Sequence, residues 1–358
     1  MSNYIEYEDA VAFHPGYYIE EIVEESGLSQ QDFAERLGTS PKNLSKLIRG
    51  KQSLSSDIAL KLSRLLGTST QYWLNLQSAY DSIVAEHSTE EEDSREREIF
   101  KLLDYKYFKQ HFGLPELTRK IDEQIKALRE FLGVSSLTVL AKKDFAVSFR
   151  SADSNLTEKN VVKANVMVQI AMNRVLEHNV KDYDKKKFEE AIAYALGFTT
   201  EHENFYPLIK SAFADAGVSL IILPNLPGSK INGATKRIGK SIMLMVNDRR
   251  SYADTFWFTM LHEIGHIING DFGISFQDEF GERETKADKY AADQLIPPEL
   301  YSEFTNRRVF TKESVLSFSE RIERDPGIVV GRLQKDGYIE YKDRQLNALR
   351  HQYKVLIA

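Results

Sequence analysis

The amino-acid sequence predicts a multidomain, mainly α-helical chain with one small α+β unit. Three observations carry this reading. Capped helical-period segments fill the first eighty residues and recur between residues 99 and 175; two short β-type apolar runs, Val218–Leu223 (VSLIIL) and residues 242–246 (IMLMV), fall close together; and a longer apolar helical run follows the second of them. At 358 residues the chain can hold two or three domains and a substantial core. No apolar run approaches the ~20 residues needed to cross a bilayer, and the opening MSNYIEYEDA is acidic where a secretory signal would be basic and then apolar. A cytoplasmic protein without a membrane partner is expected. With no cysteine, disulfides and thiolate metal sites are excluded, so any metal must rest on His, Asp and Glu.

The net charge of −6 conceals an asymmetry. Residues 1–35 carry nine acids and no Lys or Arg, whereas residues 36–64 carry seven basic residues against Asp57 alone. That is a local cationic patch on an acidic protein. His14-Pro15-Gly16 opens a helix with apolar positions Tyr18, Ile19, Ile22 and Val23, and Gly27 closes it. Ser29 caps the next helix, which buries Phe33, Ala34 and Leu37. Ser40-Pro41 caps a third, running through Leu44, Leu47 and Ile48 to Gly50. Two short helices joined by a tight glycine turn make a helix-turn-helix. With the leucines inward, Lys42, Asn43, Ser45, Lys46 and Arg49 face out, the polar and cationic set that base edges and phosphates require; a plain solvated face is the alternative.

Residues 14–80 resemble the lambda-repressor-like (XRE) domain of HigA-type antitoxins, through His14-Pro15-Gly16, Leu28-Ser29-Gln30, residues 33–38 (FAERLG), Gly50-Lys51 and residues 72–77 (YWLNLQ). The resemblance implies a five-helix domain, usually a homodimer on palindromic operator DNA. It assigns Gln30 to a phosphate contact and base reading to Lys42, Asn43, Ser45 and Lys46. This domain is expected over 1–80.

Residues 86–98 (EHSTEEEDSRERE) show no apolar face until Ile99 and read as a solvated linker or exposed helix start, so 81–135 is taken as charged linker and helix. Segments around Ile99-Leu102-Leu103, Ile121-Ile125-Leu128 and Val162-Val166-Ile170 are helical and carry no evident chemical motif. His111, His178 and His202 are isolated and read as surface or hydrogen-bonded histidines and not as ligands. The span 136–300 is expected to combine this helical region with a catalytic core.

In that core, Gly233-Ala234 and Gly239 read as punctuation between the two β-type runs. The helical run that follows contains Leu261-His262-Glu263-Ile264-Gly265-His266, an H-E-x-x-H set. On a helix, His262 and His266 lie one turn apart on one face and can grip one Zn²⁺, with Glu263 beside the open position as general base. Two strands beside such a helix suit a small zincin-like unit. A catalytic zinc needs a third protein ligand, and Asp271, Asp278, Glu279, Glu282 and Glu284 are candidates. Glu284, Ala287, Asp288 and Ala291 share one helix face whose alanines permit close approach. Glu284 is therefore the expected ligand, with Asp288 accepting an imidazole N–H.

Residues 200–345 resemble the ImmA/IrrE-type metallopeptidase domain, through residues 256–266 (FWFTMLHEIGH) and 284–292 (ETKADKYAA). That resemblance implies Zn²⁺ and cleavage of a DNA-bound repressor; Asp288 stands where Asn is common. In the tail, 301–358, Phe318-Ser319-Glu320-Arg321-Ile322 with Pro326, Val329 and Leu333 echoes the spacing of the N-terminal helix-turn-helix. Its charges nearly balance, so a packing or protein-docking element is expected there. The chain as a whole reads as a DNA-binding regulator with a zinc metalloendopeptidase domain acting on a repressor or antitoxin-like protein substrate. The alternative is a HigA-like antitoxin whose C-terminal domain binds a cognate toxin or senses a ligand without proteolysis.

Overall fold

The computed structural model describes residues 4–7, 10–143, 145, 156–176, 181–248, 252–276 and 281–353. The chain divides into two compact units, Met1–Arg95 and Glu96–Ala358. It is mainly helical with one small mixed sheet, and among the described residues no helix is long and apolar enough to cross a membrane.

The first unit opens with a pair of strands that the sequence did not suggest: β1 (Tyr4–Tyr7) runs antiparallel to β2 (Ala10–Phe13). Five helices follow: α1 (Pro15–Glu25), α2 (Gln30–Leu37), α3 (Pro41–Ile48), α4 (Ser56–Leu66) and α5 (Thr70–Lys101). Their starts are fixed locally. The His14 ring accepts the Gly16 N–H at 2.9 Å, Ser29 the Asp32 N–H at 3.1 Å and Ser40 the Asn43 N–H at 3.2 Å, each satisfying a donor that a helix leaves open. Ile19, Phe33, Leu44, Leu47, Leu62 and Trp73 form the core. Gly16 is required by packing, because a Cβ there would lie 2.0 Å from the Leu47 carbonyl oxygen. The charged stretch 86–98 is helical throughout as part of α5. Glu96, the first residue of the second unit, is not solvated: within that unit it is buried, accepts the Leu137 N–H at 2.6 Å and pairs with Arg129 at 3.3 Å.

In the second unit a four-stranded sheet lies between two helical layers. Its strands are β3 (Val218–Leu223), β4 (Ile231–Ile238), β5 (Ser241–Asn247) and β6 (Gly273–Phe276), in the order β3-β5-β4-β6. β3 and β5 are parallel, with Leu220 opposite Leu244; β4 is antiparallel to β5 and β6. Alternate residues serve opposite layers. Ile221, Leu223, Met243 and Met245 pack with α6 (Tyr105–Phe112), α7 (Ile121–Leu132), the 3-10 helix Leu137–Ala141 and α8 (Glu158–Leu176). Leu220, Ile222, Ile242 and Leu244 pack with α9 (Lys185–Leu196), α10 (Phe205–Asp215) and α11 (Ala253–Asn269). Burial on both faces explains why VSLIIL and IMLMV show no polar alternation. One expectation is corrected here: Gly233-Ala234 is not a turn but lies inside β4, while Gly239, with φ 59°, is the turn between β4 and β5. β6 gave no sequence signal.

After β6 come α12 (Glu282–Leu295), α13 (Pro298–Asn306), α14 (Lys312–Arg321), α15 (Pro326–Lys335) and α16 (Arg344–Asn347). The α14–α15 pair is the tail's helix-turn-helix echo. Phe318, Val329, Val330 and Leu333 are buried in the same core as Trp257 and Met260 of α11, so in this fold the pair is a packing element.

Candidate metal centre and nucleic-acid-facing helix

The hydrophobic face of α11 decides where its histidines point. Phe256, Trp257, Met260, Leu261, Ile264 and Ile267 are buried against the sheet and α15, which turns His262, Glu263 and His266 to a common side toward β4 and α12. His266 and Glu263 are buried, and His262 is nearly so. The two Nε2 atoms face one another at 3.1 Å. Glu284, in the first turn of α12, completes the set: its Oε2 is 3.0 Å from His262 Nε2 and its Oε1 3.3 Å from His266 Nε2.

Each imidazole is held from behind. Asp288 Oδ1 is 2.9 Å from His262 Nδ1, and Asp271 Oδ2 is 3.1 Å from His266 Nδ1. With both Nδ1–H groups donated to carboxylates, both Nε2 lone pairs point inward. Two lone pairs and a carboxylate aimed at one point repel each other unless a cation or a shared proton lies between them. The edges of 3.0–3.3 Å match the ~3.3 Å that separates donors bound tetrahedrally at ~2.0–2.1 Å. The residues present therefore fit a zinc-type ion, with His262, His266 and Glu284 as its protein ligands.

Without an ion, a proton on the imidazole takes the cation's place between these groups. Burial opposes a proton on His262, but the hydrogen bonds its ring donates to Asp288 and Glu284 outweigh it and carry the imidazole up to about 9. Burial likewise opposes ionisation of Glu284, yet the two imidazoles hold its carboxyl well below the usual carboxylate range. Asp288 is also depressed: against the cost of burial stand His262 and Lys335, whose Nζ is 2.8 Å away.

Two glycines shape the site. A Cβ on Gly233 would fall 2.6–2.7 Å from the side chain of Glu263, so β4 lets the carboxylate lie against its backbone. A Cβ on Gly265 would meet Ala287 Cα at 3.1 Å and Tyr290 at 3.2 Å, which marks how closely α11 and α12 approach.

The other candidates are placed as follows. Glu282 is exposed and pairs with Lys286; Asp271 lies behind His266 and not among the inward-facing donors; Asp278 and Glu279 lie outside the described residues. The role of Asp271 behind His266 was missed, and its signal was its place directly after the Gly270 that caps α11. His178 is also outside the described residues. His111 packs on the Tyr107 ring, centroids 5.0 Å apart. His202 is hydrogen-bonded, as expected, but within a cluster described below.

On the first unit, α3 exposes Lys42, Lys46 and the capping residue Arg49, with Asn43 and Ser45 half-buried beside them. Asn43 donates to Thr39 Oγ1 at 2.9 Å, which restrains its amide. Gln30 is exposed at the first position of α2.

Comparison with known proteins bears on this unit. The Helix-turn-helix family matches residues 19–73. The HTH-type transcriptional regulator YddM of Escherichia coli (strain K12) is 38% identical over 76 residues, which cover 21% of this chain and 81% of that protein. Virulence-associated protein I of Dichelobacter nodosus is 40% identical over 76 residues, covering 21% and 70%. Antitoxin HigA-1 of Vibrio cholerae is 36% identical over 61 residues, covering 17% of this chain and 57% of the antitoxin. Among solved structures, PA4674 of Pseudomonas aeruginosa in complex with its operator DNA is 31% identical, covers 22% of this chain and 89% of its own, and has a TM-score of 0.22.

Proposed function

Through its N-terminal helices the chain belongs to the helix-turn-helix family of XRE-type regulators and HigA-like antitoxins, and from that premise we propose that it is an operator-binding regulator whose second unit is a zinc-dependent peptidase of ImmA/IrrE type. The observation that carries the peptidase reading is the convergence of His262, His266 and Glu284 beside the buried Glu263. When bound, zinc would supply Lewis acidity toward a peptide carbonyl and toward water. The protein's own part is proton handling and orientation. Glu263, held against the Gly233 backbone, takes a proton from the attacking water and passes it to the leaving amine. Asp288 and Asp271 keep both imidazoles in the tautomer that presents Nε2 inward.

The substrate class proposed is a repressor or antitoxin-like protein encoded alongside this chain, and the unit that binds operator DNA works as a homodimer. Glu263→Gln is expected to retain zinc and lose cleavage of such a protein; an unchanged cleavage rate would remove the peptidase assignment. For DNA, Lys46→Ala with Arg49→Ala is expected to weaken operator binding and lower its salt dependence by roughly two in log–log slope. A binding curve identical to wild type across salt would refute the role of α3. The similarity to HigA-1 favours a second reading, in which the chain neutralises a toxin; Glu263→Gln would then leave neutralisation intact.

A further inference from the structure

A second histidine–carboxylate cluster lies away from the H-E-x-x-H helix. His202 follows α9, Asp325 precedes α15 and His351 belongs to the C-terminal segment. We propose that these three residues form a second divalent-metal site, of zinc type, that fastens the C-terminal segment to the start of α11. The donors converge on one oxygen: Asp325 Oδ2 is 3.2 Å from His202 Nε2 and 2.9 Å from His351 Nδ1. Two imidazole nitrogens and a carboxylate are a donor set that zinc accepts.

Charge balance supplies the second argument. Asp325 is only 1% exposed, and its other oxygen, Oδ1, accepts the Gly327 N–H at 2.7 Å to cap α15. Among the described residues no lysine or arginine pairs with Asp325; the nearby Arg350 is engaged by the buried Asp254, at 3.1 and 2.8 Å. A buried carboxylate with no lysine or arginine beside it gains from a compensating cation, and a divalent ion between the two rings provides one. An outer partner is also present: His202 Nδ1 is 3.1 Å from the Tyr353 hydroxyl, which in turn is 3.4 Å from Trp257 Nε1 on α11.

The rings of His202 and His351 stack, with centroids 3.8 Å apart and planes 27° from parallel. A shared ion must lie near the plane of each ring, so His351, whose side chain is half-exposed, turns out of the stack on binding. The consequence reaches α11 through the backbone: the Ala253 N–H donates to the His351 carbonyl at 2.9 Å, and Tyr252 bridges Gln352.

The test uses the full chain, stripped by chelator and titrated with Zn²⁺ alone, with Co²⁺ spectra as a second readout. Two equivalents are expected, falling to one in His351→Gln and to one in Glu284→Ala. Zn²⁺ should still raise the melting temperature of Glu284→Ala, and should not raise that of Glu284→Ala/His351→Gln; circular dichroism before metal addition confirms that each variant is folded. A single equivalent that is lost in Glu284→Ala and untouched by His351→Gln overturns this site and leaves the His262 centre standing. The reverse pattern keeps this site and removes the other.

Discussion

Two histidine–carboxylate triads occupy the same unit, and they differ in how their rings are held. At His262 and His266 the imidazole planes are 75° apart, each ring pinned from behind by its own aspartate. At His202 and His351 the planes are 27° apart, and one carboxylate receives both rings. The first pair stands one turn apart on a single helix, so its geometry is set before any ligand arrives; the second joins remote segments and must open to share an ion. Preorganisation of this kind separates a site fit for chemistry from one fit for fastening.

The difference can be broken most severely at Glu284. Glu284→Ala should cost the first triad more than the roughly 10–100-fold in zinc affinity that losing an outer-sphere partner costs, with the second triad unaffected; retention of full zinc content after dialysis would contradict it. Acid separates the triads next. Zinc must displace a proton from His262, which holds it up to about 9, so affinity at the first triad should fall about tenfold per pH unit, roughly a hundredfold between pH 8 and 6. Burial, with His351 alongside, pushes His202 below the ordinary imidazole value, so a proton competes less there and the dependence should be shallower. Competition titrations at three pH values would show parallel slopes if the contrast is wrong.

A subtler probe leaves the metal in place. Gly233→Ala inserts a methyl against Glu263, so turnover should fall roughly tenfold while zinc content stays the same; equal loss of both would mean that Gly233 serves the fold alone. The smallest effect is expected from Lys335→Met. Its pair with Asp288 is about half-exposed, so zinc retention at the first triad should weaken by only roughly two- to fivefold. A larger loss, measured by chelator competition, would mean that Lys335 does more than steady Asp288.

What could be read from the sequence was whatever a local period encodes. The caps at Ser29 and Ser40, the buried leucines of α3, the one-turn spacing of His262 and His266, and the alanine face that led to Glu284 all lie within one or two helical turns of their partners. β4 was missed because Gly233-Ala234 looks like a turn, whereas the glycine is there for the sake of Glu263 on another element. Glu96 looked solvated inside a charged run, although it caps a 3-10 helix far along the chain. The His202 cluster left no local trace, since its members meet only after the C-terminal segment has docked beside Tyr252.

Gly265 gives α11 a tolerance measured in tenths of an ångström. Between the two histidines the chain carries a hydrogen where any other residue would carry carbon, and the neighbouring helix has moved in to fill that space. A bulkier residue there would leave both histidines on their own helix but push α12 away, taking with it the third ligand, Glu284, and the Asp288 that orients His262. The site would degrade into a weak two-histidine chelate, bound to metal for moments and not kept. The smallest side chain in the motif is thus the one that would set how long a bound metal stays.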